Sequence, residues 1–212
     1  MATPNFCPVV SVSAIALALM ACGGEAASAS HQCRIEGWIA DPSPAGVELR
    51  DGPDRNAAVL GTLPGYIEDG DGRGFGIPVQ VTAARQGWFQ VEGGPDDPSR
   101  SGLPPRPVHD GSGWIPADSV RFRLQSGQGH AEPEPSSPLT VDLGSDWISE
   151  FGHVERVHDC HGDWVDVEIR LDYRRDPDTL ALQALSPEEA ITVHRAWFRN
   201  VCANQETTCD AP

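Results

Sequence analysis

Lysine is absent from this 212-residue chain, so all 15 basic side chains are arginine, and they face 31 aspartates and glutamates. The formal charge of −16 excludes the broad basic surface through which proteins hold nucleic acid or anionic lipid. No apolar run is long enough to cross a bilayer; the longest, Val9 to Ala21, falls short of the ~20 residues a span needs. A polytopic membrane protein is thereby excluded, as are collagen and coiled coil. What the chain does have is 22 glycines, 19 prolines and six tryptophans. That mixture points to folded units with many turns, and the length allows one or two domains.

The Val9–Ala21 run has the length of a signal-peptide core. It closes with Leu19-Met20-Ala21-Cys22, which resembles the lipobox of bacterial lipoproteins. The resemblance implies that residues 1–21 are a signal peptide and that Cys22 is lipidated as the new N-terminus. Membrane attachment would then run only through that N-terminal lipid, in the periplasm or at the cell surface. The alternative is a secretory signal cleaved among Ala26 to Ser30. Both readings export the chain, and the small, polar stretch 22–32 reads as a tether.

Export decides how the cysteines are read. Cys7 goes with the signal and Cys22 with the lipid, leaving Cys33, Cys160, Cys202 and Cys209. An even number in an oxidising compartment points to two disulfides, with all three pairings open. One of them ties Cys202 to Cys209 across a polar loop and Cys33 to Cys160. A zinc site is the sharper alternative, because Cys160 lies in His158-Asp159-Cys160-His161. The ligand spacings are irregular for structural zinc, however, and no metal or other cofactor is expected. The Asp69-Gly70-Asp71 turn lacks the distal Glu of a calcium loop and reads as a flexible acidic segment.

Alternating patterns predict an all-β protein in two units, 33–124 and 139–210, joined by a Pro-rich linker at 125–138. In the first unit, Gly46–Arg50, Pro78–Ala83, Trp88–Val91 and Gly113–Ala117 read as strands. In the second, Trp164–Tyr173 is the cleanest alternation, with Val165, Val167, Ile169 and Leu171 on one face. The units repeat each other. Trp88-Phe-Gln-Val-Glu92 matches Trp164-Val-Asp-Val-Glu168, each just after a glycine-containing turn, and Trp114-Ile115 matches Trp197-Phe198. The first unit carries a Pro/Gly/Asp/Ser-rich insertion from Gly93 to Ser112, expected as an exposed irregular loop. In the second unit's insertion, Ser186-Pro-Glu-Glu189 has a capping-box pattern and predicts a short helix.

Four segments in order, Val47-Glu-Leu-Arg-Asp-Gly-Pro53, Ala58-Val-Leu-Gly-Thr-Leu-Pro-Gly65, Gly87-Trp-Phe-Gln-Val91 and Gly113-Trp-Ile-Pro-Ala-Asp118, resemble the bacterial SH3 (SH3b) domain. The resemblance covers residues 44–122, and the second unit is similar only in the later half of the pattern. It implies two small SH3-like β-barrels, the second degenerate, that bind peptides or cell-wall components. Peptidoglycan or an envelope protein is the implied partner. Too little sequence lies outside the two units for a hydrolase core, so the chain reads as non-enzymatic. The alternatives are a zinc-dependent envelope hydrolase using His158 and His161, or an inhibitor or immunity protein for a basic toxin. Tyr66, Trp88 and Phe89 are the expected aromatic ligand groove. Alternation along the strand places Trp88 and Gln90 on its outer side, Trp88 beside the Tyr66–Gly76 loop, with Phe89 and Val91 on the other. Trp114 and Trp197 are expected in the core.

Overall fold

A computed structural model describes residues 30–68, 74–102 and 104–205. The fold is all-β. Its larger sheet is built from β1 (His31–Ile39), β2 (Val47–Arg50), β3 (Val59–Leu63), β6 (Pro78–Arg85), β7 (Trp88–Gly93), β8 (Ser112–Pro116) and β9 (Val120–Arg121), with β4 (Ile67–Glu68) and β5 (Gly74–Phe75) as a separate hairpin. The strand order is β3-β2-β8-β7-β6-β1-β9, antiparallel at each pairing.

The smaller sheet uses β11 (Gln128–His130), β12 (Leu139–Asp142), β13 (Gly152–His161), β14 (Trp164–Leu171) and β17 (Val193–Phe198), in the order β12-β11-β17-β14-β13. Among the described residues neither sheet closes into a barrel. Two short strand pairs complete the picture: β10 (Arg123–Leu124) pairs with β18 (Val201–Cys202), and β15 (Tyr173–Arg175) with β16 (Leu182–Ala184).

The repeat seen in the sequence is a repeat of geometry. The strands β6-β7-β8 and β13-β14-β17 are both three-stranded antiparallel meanders. The hairpins that open them turn at Gln86-Gly87 and Gly162-Asp163. Gln86 and Gly87 sit at φ 50° and 78°, the pair of positive values that a type I′ hairpin requires. The registers also correspond. Gln90 faces Trp114 two residues after Trp88, and Asp166 faces Trp197 two residues after Trp164.

Phe89 and Val91 point inward, as do Val165, Val167 and Ile169, all 0% exposed. Ile115 and Phe198 are the core members of the two closing strands. The neighbouring Trp114 and Trp197, expected in the core, are only half-buried and lie on the outer faces. The cause is the pleat: one residue of each Trp-Ile or Trp-Phe pair must point out, and the smaller side chain took the crowded interior.

Two further expectations are corrected. The stretch 125–138 is not a free linker, because it supplies β11 and a turn that buries Ser137. Ser137 Oγ accepts from the Glu132 N–H at 2.9 Å, and the Ala131 N–H donates to the Pro138 carbonyl at 2.9 Å. Proline-rich composition here encodes a tight hairpin tip rather than an extended spacer. The helix predicted after Ser186 is a single turn. The capping box does form, with the Ser186 N–H donating to Glu189 Oε2 and the Glu189 N–H to Ser186 Oγ, but too few residues follow for a helix to propagate. The short helices are α1 (Pro98–Ser101) and α2 (Ile148–Phe151). The Gly93–Ser112 insertion is better fixed than its composition suggested. Arg106 holds Asp96 from Nε at 2.9 Å and Nη2 at 2.8 Å, and Nη1 reaches the Gly65 carbonyl.

The sheets share one continuous core. A disulfide joins Cys33 of β1 to Cys160 of β13 across 127 residues. Beside it the Arg34 N–H donates to the Gly162 carbonyl and the Gly162 N–H to Gln32, at 2.8 and 2.7 Å. The Val157 N–H donates to Asp118 Oδ1 at 3.3 Å. Cys202 is also a disulfide cysteine. Cys209, the apolar leader and Cys22 lie outside the described residues.

Candidate binding face

The candidate site is the outer face of the β6-β7-β8 meander. Trp88 starts β7 opposite Arg85 on one side and Pro116 on the other, and Gln90 lies between Ala83 and Trp114. Trp88 and Trp114 are therefore diagonal neighbours on one face, roughly 7–8 Å apart by backbone geometry. Both are half-buried. Phe89, between them in sequence, is 0% exposed and cannot touch a ligand. It is corrected from groove residue to core residue.

One polar group on this face is buried without a partner. Arg85 Nε is buried and has no hydrogen-bond partner, the one side-chain nitrogen or oxygen so placed among the described residues. The Gln90 amide and the two indole N–H groups likewise have no hydrogen bond within the described protein. Buried donors are ordinarily paired, and leaving one orphaned costs ~1–3 kcal/mol. Two flat aromatic plates, one amide and one guanidinium thus share a surface that makes little internal use of them.

Tyr66 is not part of it. Its backbone is tied to Asp41, close to the Pro78 end of β6, whereas Trp88 pairs with the Arg85 end. Those ends are separated by about 20 Å at ~3.3 Å per residue. The phenol of Tyr66 lies across Gly74, where any Cβ would collide with it.

The residues of the zinc alternative also diverge. His158 Nε2 meets Glu168 Oε1 at 3.0 Å, while the His161 ring packs against His31 with centroids 5.4 Å apart. Cys160 is held in its disulfide. Among the described residues no group of three His, Cys, Asp or Glu side chains converges on a metal position. The Asp69–Asp71 turn lies outside the described residues.

Comparison with known protein families, characterised proteins and solved structures yields no match. The site is therefore read from its own geometry.

The equivalent face of the smaller sheet is closed. Trp164 is 8% exposed, covered by the His130 ring edge-on at 5.1 Å and by the Arg199 guanidinium at 5.4 Å. At the position of Gln90 stands Asp166, 4% exposed. Arg195 Nε donates to both its oxygens at 3.0 Å. Asp159 lies directly across from Asp166, and its carboxyl is pushed above the usual carboxylate range, chiefly by burial.

Sequence reasoning found Trp88 and placed Gln90 on the same side of the strand, but missed Trp114 and Arg85. The available signal was the alternation itself, which assigns Trp114 and Ile115 to opposite faces.

Proposed function

We propose that this protein is a non-enzymatic lipoprotein of the bacterial envelope, anchored through Cys22, that displays SH3-like β-modules and holds peptidoglycan. The observation that carries this reading is the Arg85–Trp88–Gln90–Trp114 face, whose side-chain donors have no partner among the described residues. Sugar rings present flat C–H faces that suit indole plates, which supply large contact area at low entropy cost. The carboxylates of peptidoglycan's peptide branches suit an unpaired guanidinium, which binds them through charge-assisted hydrogen bonds. The strongly acidic remainder of the chain keeps the module soluble and separate from other acidic surfaces.

Co-sedimentation with purified peptidoglycan tests the reading. The protein should pellet with the polymer and be released by soluble muropeptides. Failure to pellet at any salt concentration overturns it. Anchoring is tested separately by Cys22→Ala, which should move the protein out of the membrane fraction; a variant that still fractionates with membranes refutes lipidation there.

A further inference from the structure

A second site lies about 20 Å from the Trp88 face by strand length. It is a cleft of about 390 Å³ between the β1/β9 end of the larger sheet and the α2/β13 start of the smaller one. Trp38, Tyr66, Arg121, Arg123 and His153 line it over an apolar floor that includes Ile148. We infer that this cleft binds a ring-bearing organic oxyanion, with the ring against Trp38 and Tyr66 and the carboxylate or phosphate at Arg121 and Arg123.

The charge pattern is the main observation. The chain carries 31 carboxylates and a formal charge of −16, yet no Asp or Glu lines this cleft among the described residues. Two arginines and a histidine do. Asp172 meets His153 at 3.0 Å and Asp118 stands 3.5 Å from Arg121 Nη1, both from beside the cleft, so Arg123 is the lining cation with no carboxylate partner among the described residues, and low-dielectric walls focus its field on the space inside.

Each arginine spends only part of its guanidinium on the fold. Arg121 reaches the Asp118 and Val120 carbonyls through Nη1, at 2.8 and 3.0 Å, with Asp118 Oδ1 at 3.5 Å. Its Nε and Nη2 make no hydrogen bond to the described protein. Arg123 donates from Nε to the Asn204 carbonyl at 2.9 Å and from Nη2 to Gln205 at 3.2 Å. It has no carboxylate partner among the described residues, so its charge is oriented by backbone and left unneutralised. A guanidinium with open N–H groups matches carboxylate or phosphate geometry.

The aromatic walls are seated by two glycines. A Cβ at Gly74 would fall within 1.9 Å of the Tyr66 ring, and one at Gly76 would meet the Ile39 carbonyl at 1.8 Å and Trp38 Cδ1 at 3.1 Å. The backbone there is bare so that both rings can lie close to it. The volume is at the small end of ligand sites, which suits one ring with one anionic group.

The test is ligand-observed NMR and calorimetric titration of the whole protein with benzoate, phenyl phosphate and, as neutral control, benzyl alcohol. One or both anions should bind, more weakly as salt rises, and benzyl alcohol should not compete. Which anion binds better identifies the oxyanion. Arg121→Gln should weaken binding about tenfold or more while leaving the melting temperature unchanged. Arg85→Gln on the other face should leave anion binding unaffected, which separates this site from the peptidoglycan reading. The inference is overturned if neither anion binds at millimolar concentration, or if benzyl alcohol binds as well as the anions. Full affinity in a folded Arg121→Gln protein also overturns it. If Arg121→Gln fails to fold, the salt dependence and the neutral control on the parent protein decide.

Discussion

The two meanders have the same strand order, a two-residue hairpin at the same place and the same Trp-to-Trp register, yet their outer faces differ. In the smaller sheet the central polar residue, Asp166, is neutralised by Arg195, and Trp164 is covered by His130 and Arg199. In the larger sheet the central residue is Gln90, whose side-chain amide has no hydrogen bond among the described residues, and Arg85 keeps an orphaned donor. One scaffold thus supports a face closed by its own partners and a face whose partners must come from outside. Burying polar groups is tolerable when they are hydrogen-bonded and costly when they are not. The first arrangement stabilises the fold, and the second reserves groups for recognition.

The comparison requires both sheets to share one core, and the disulfide is the strongest point at which to break it. Replacing Cys33 and Cys160 together by alanine should lower stability by about 4–5 kcal/mol, from the entropy of the released loop. Urea denaturation should then show two transitions in place of one. Next in size is Phe89→Ala, which removes a fully buried ring and should cost about 3–5 kcal/mol. Trp88→Ala, one residue away but on the outer face, should shift the melting temperature by only a few degrees.

On the closed face, Asp166→Asn should cost roughly 1–3 kcal/mol, because it takes a charged partner from Arg195 and leaves a buried amide imperfectly paired. The equivalent change on the open face, Gln90→Ala, should alter stability by less than about 0.5 kcal/mol. Equal costs at the two positions would mean that the faces do not differ as described.

The smallest expected effect is a pH dependence. Burial raises the folded-state pKa of Asp159, so the native state binds this proton more tightly than the unfolded chain does. The stability from that proton is present below the ordinary carboxylate pKa of ~3.9 and is lost as pH rises through the elevated folded value. Asp159→Asn should therefore raise the melting temperature by about a degree or two at pH 7 and leave it unchanged near pH 3. Calorimetric scans at both pH values check this.

Much of this was legible in the sequence. Alternation in Trp164–Leu171 assigned its inward face residue by residue, and the matched Trp motifs pointed to the repeated meander. What stayed hidden depended on contacts between distant segments. The Pro-rich 125–138 stretch looks unstructured in isolation, and only its pairing with β12 and β17 makes it part of a sheet. The nine-residue β1 reads weakly because its neighbours, β6 and β9, lie far along the chain. The capping box at Ser186 was a correct local signal with no tertiary support to extend it. Tyr66 and Trp88 looked like partners because both are aromatic, but strand length holds them apart. Arg85 carried no sequence signal, since an orphaned donor becomes visible only once its surroundings are known.

Matched substitutions on the two faces test the difference most directly. Peptidoglycan co-sedimentation would be measured for a Trp88→Ala/Trp114→Ala protein and for a Trp164→Ala/Trp197→Ala protein, with folding of each checked by circular dichroism. We expect the first pair to abolish binding while the protein remains folded, and the second to lower stability but leave binding intact in whatever fraction is folded. Retained binding in the first protein, or binding lost only in the second, would contradict the assignment of the open face as the site.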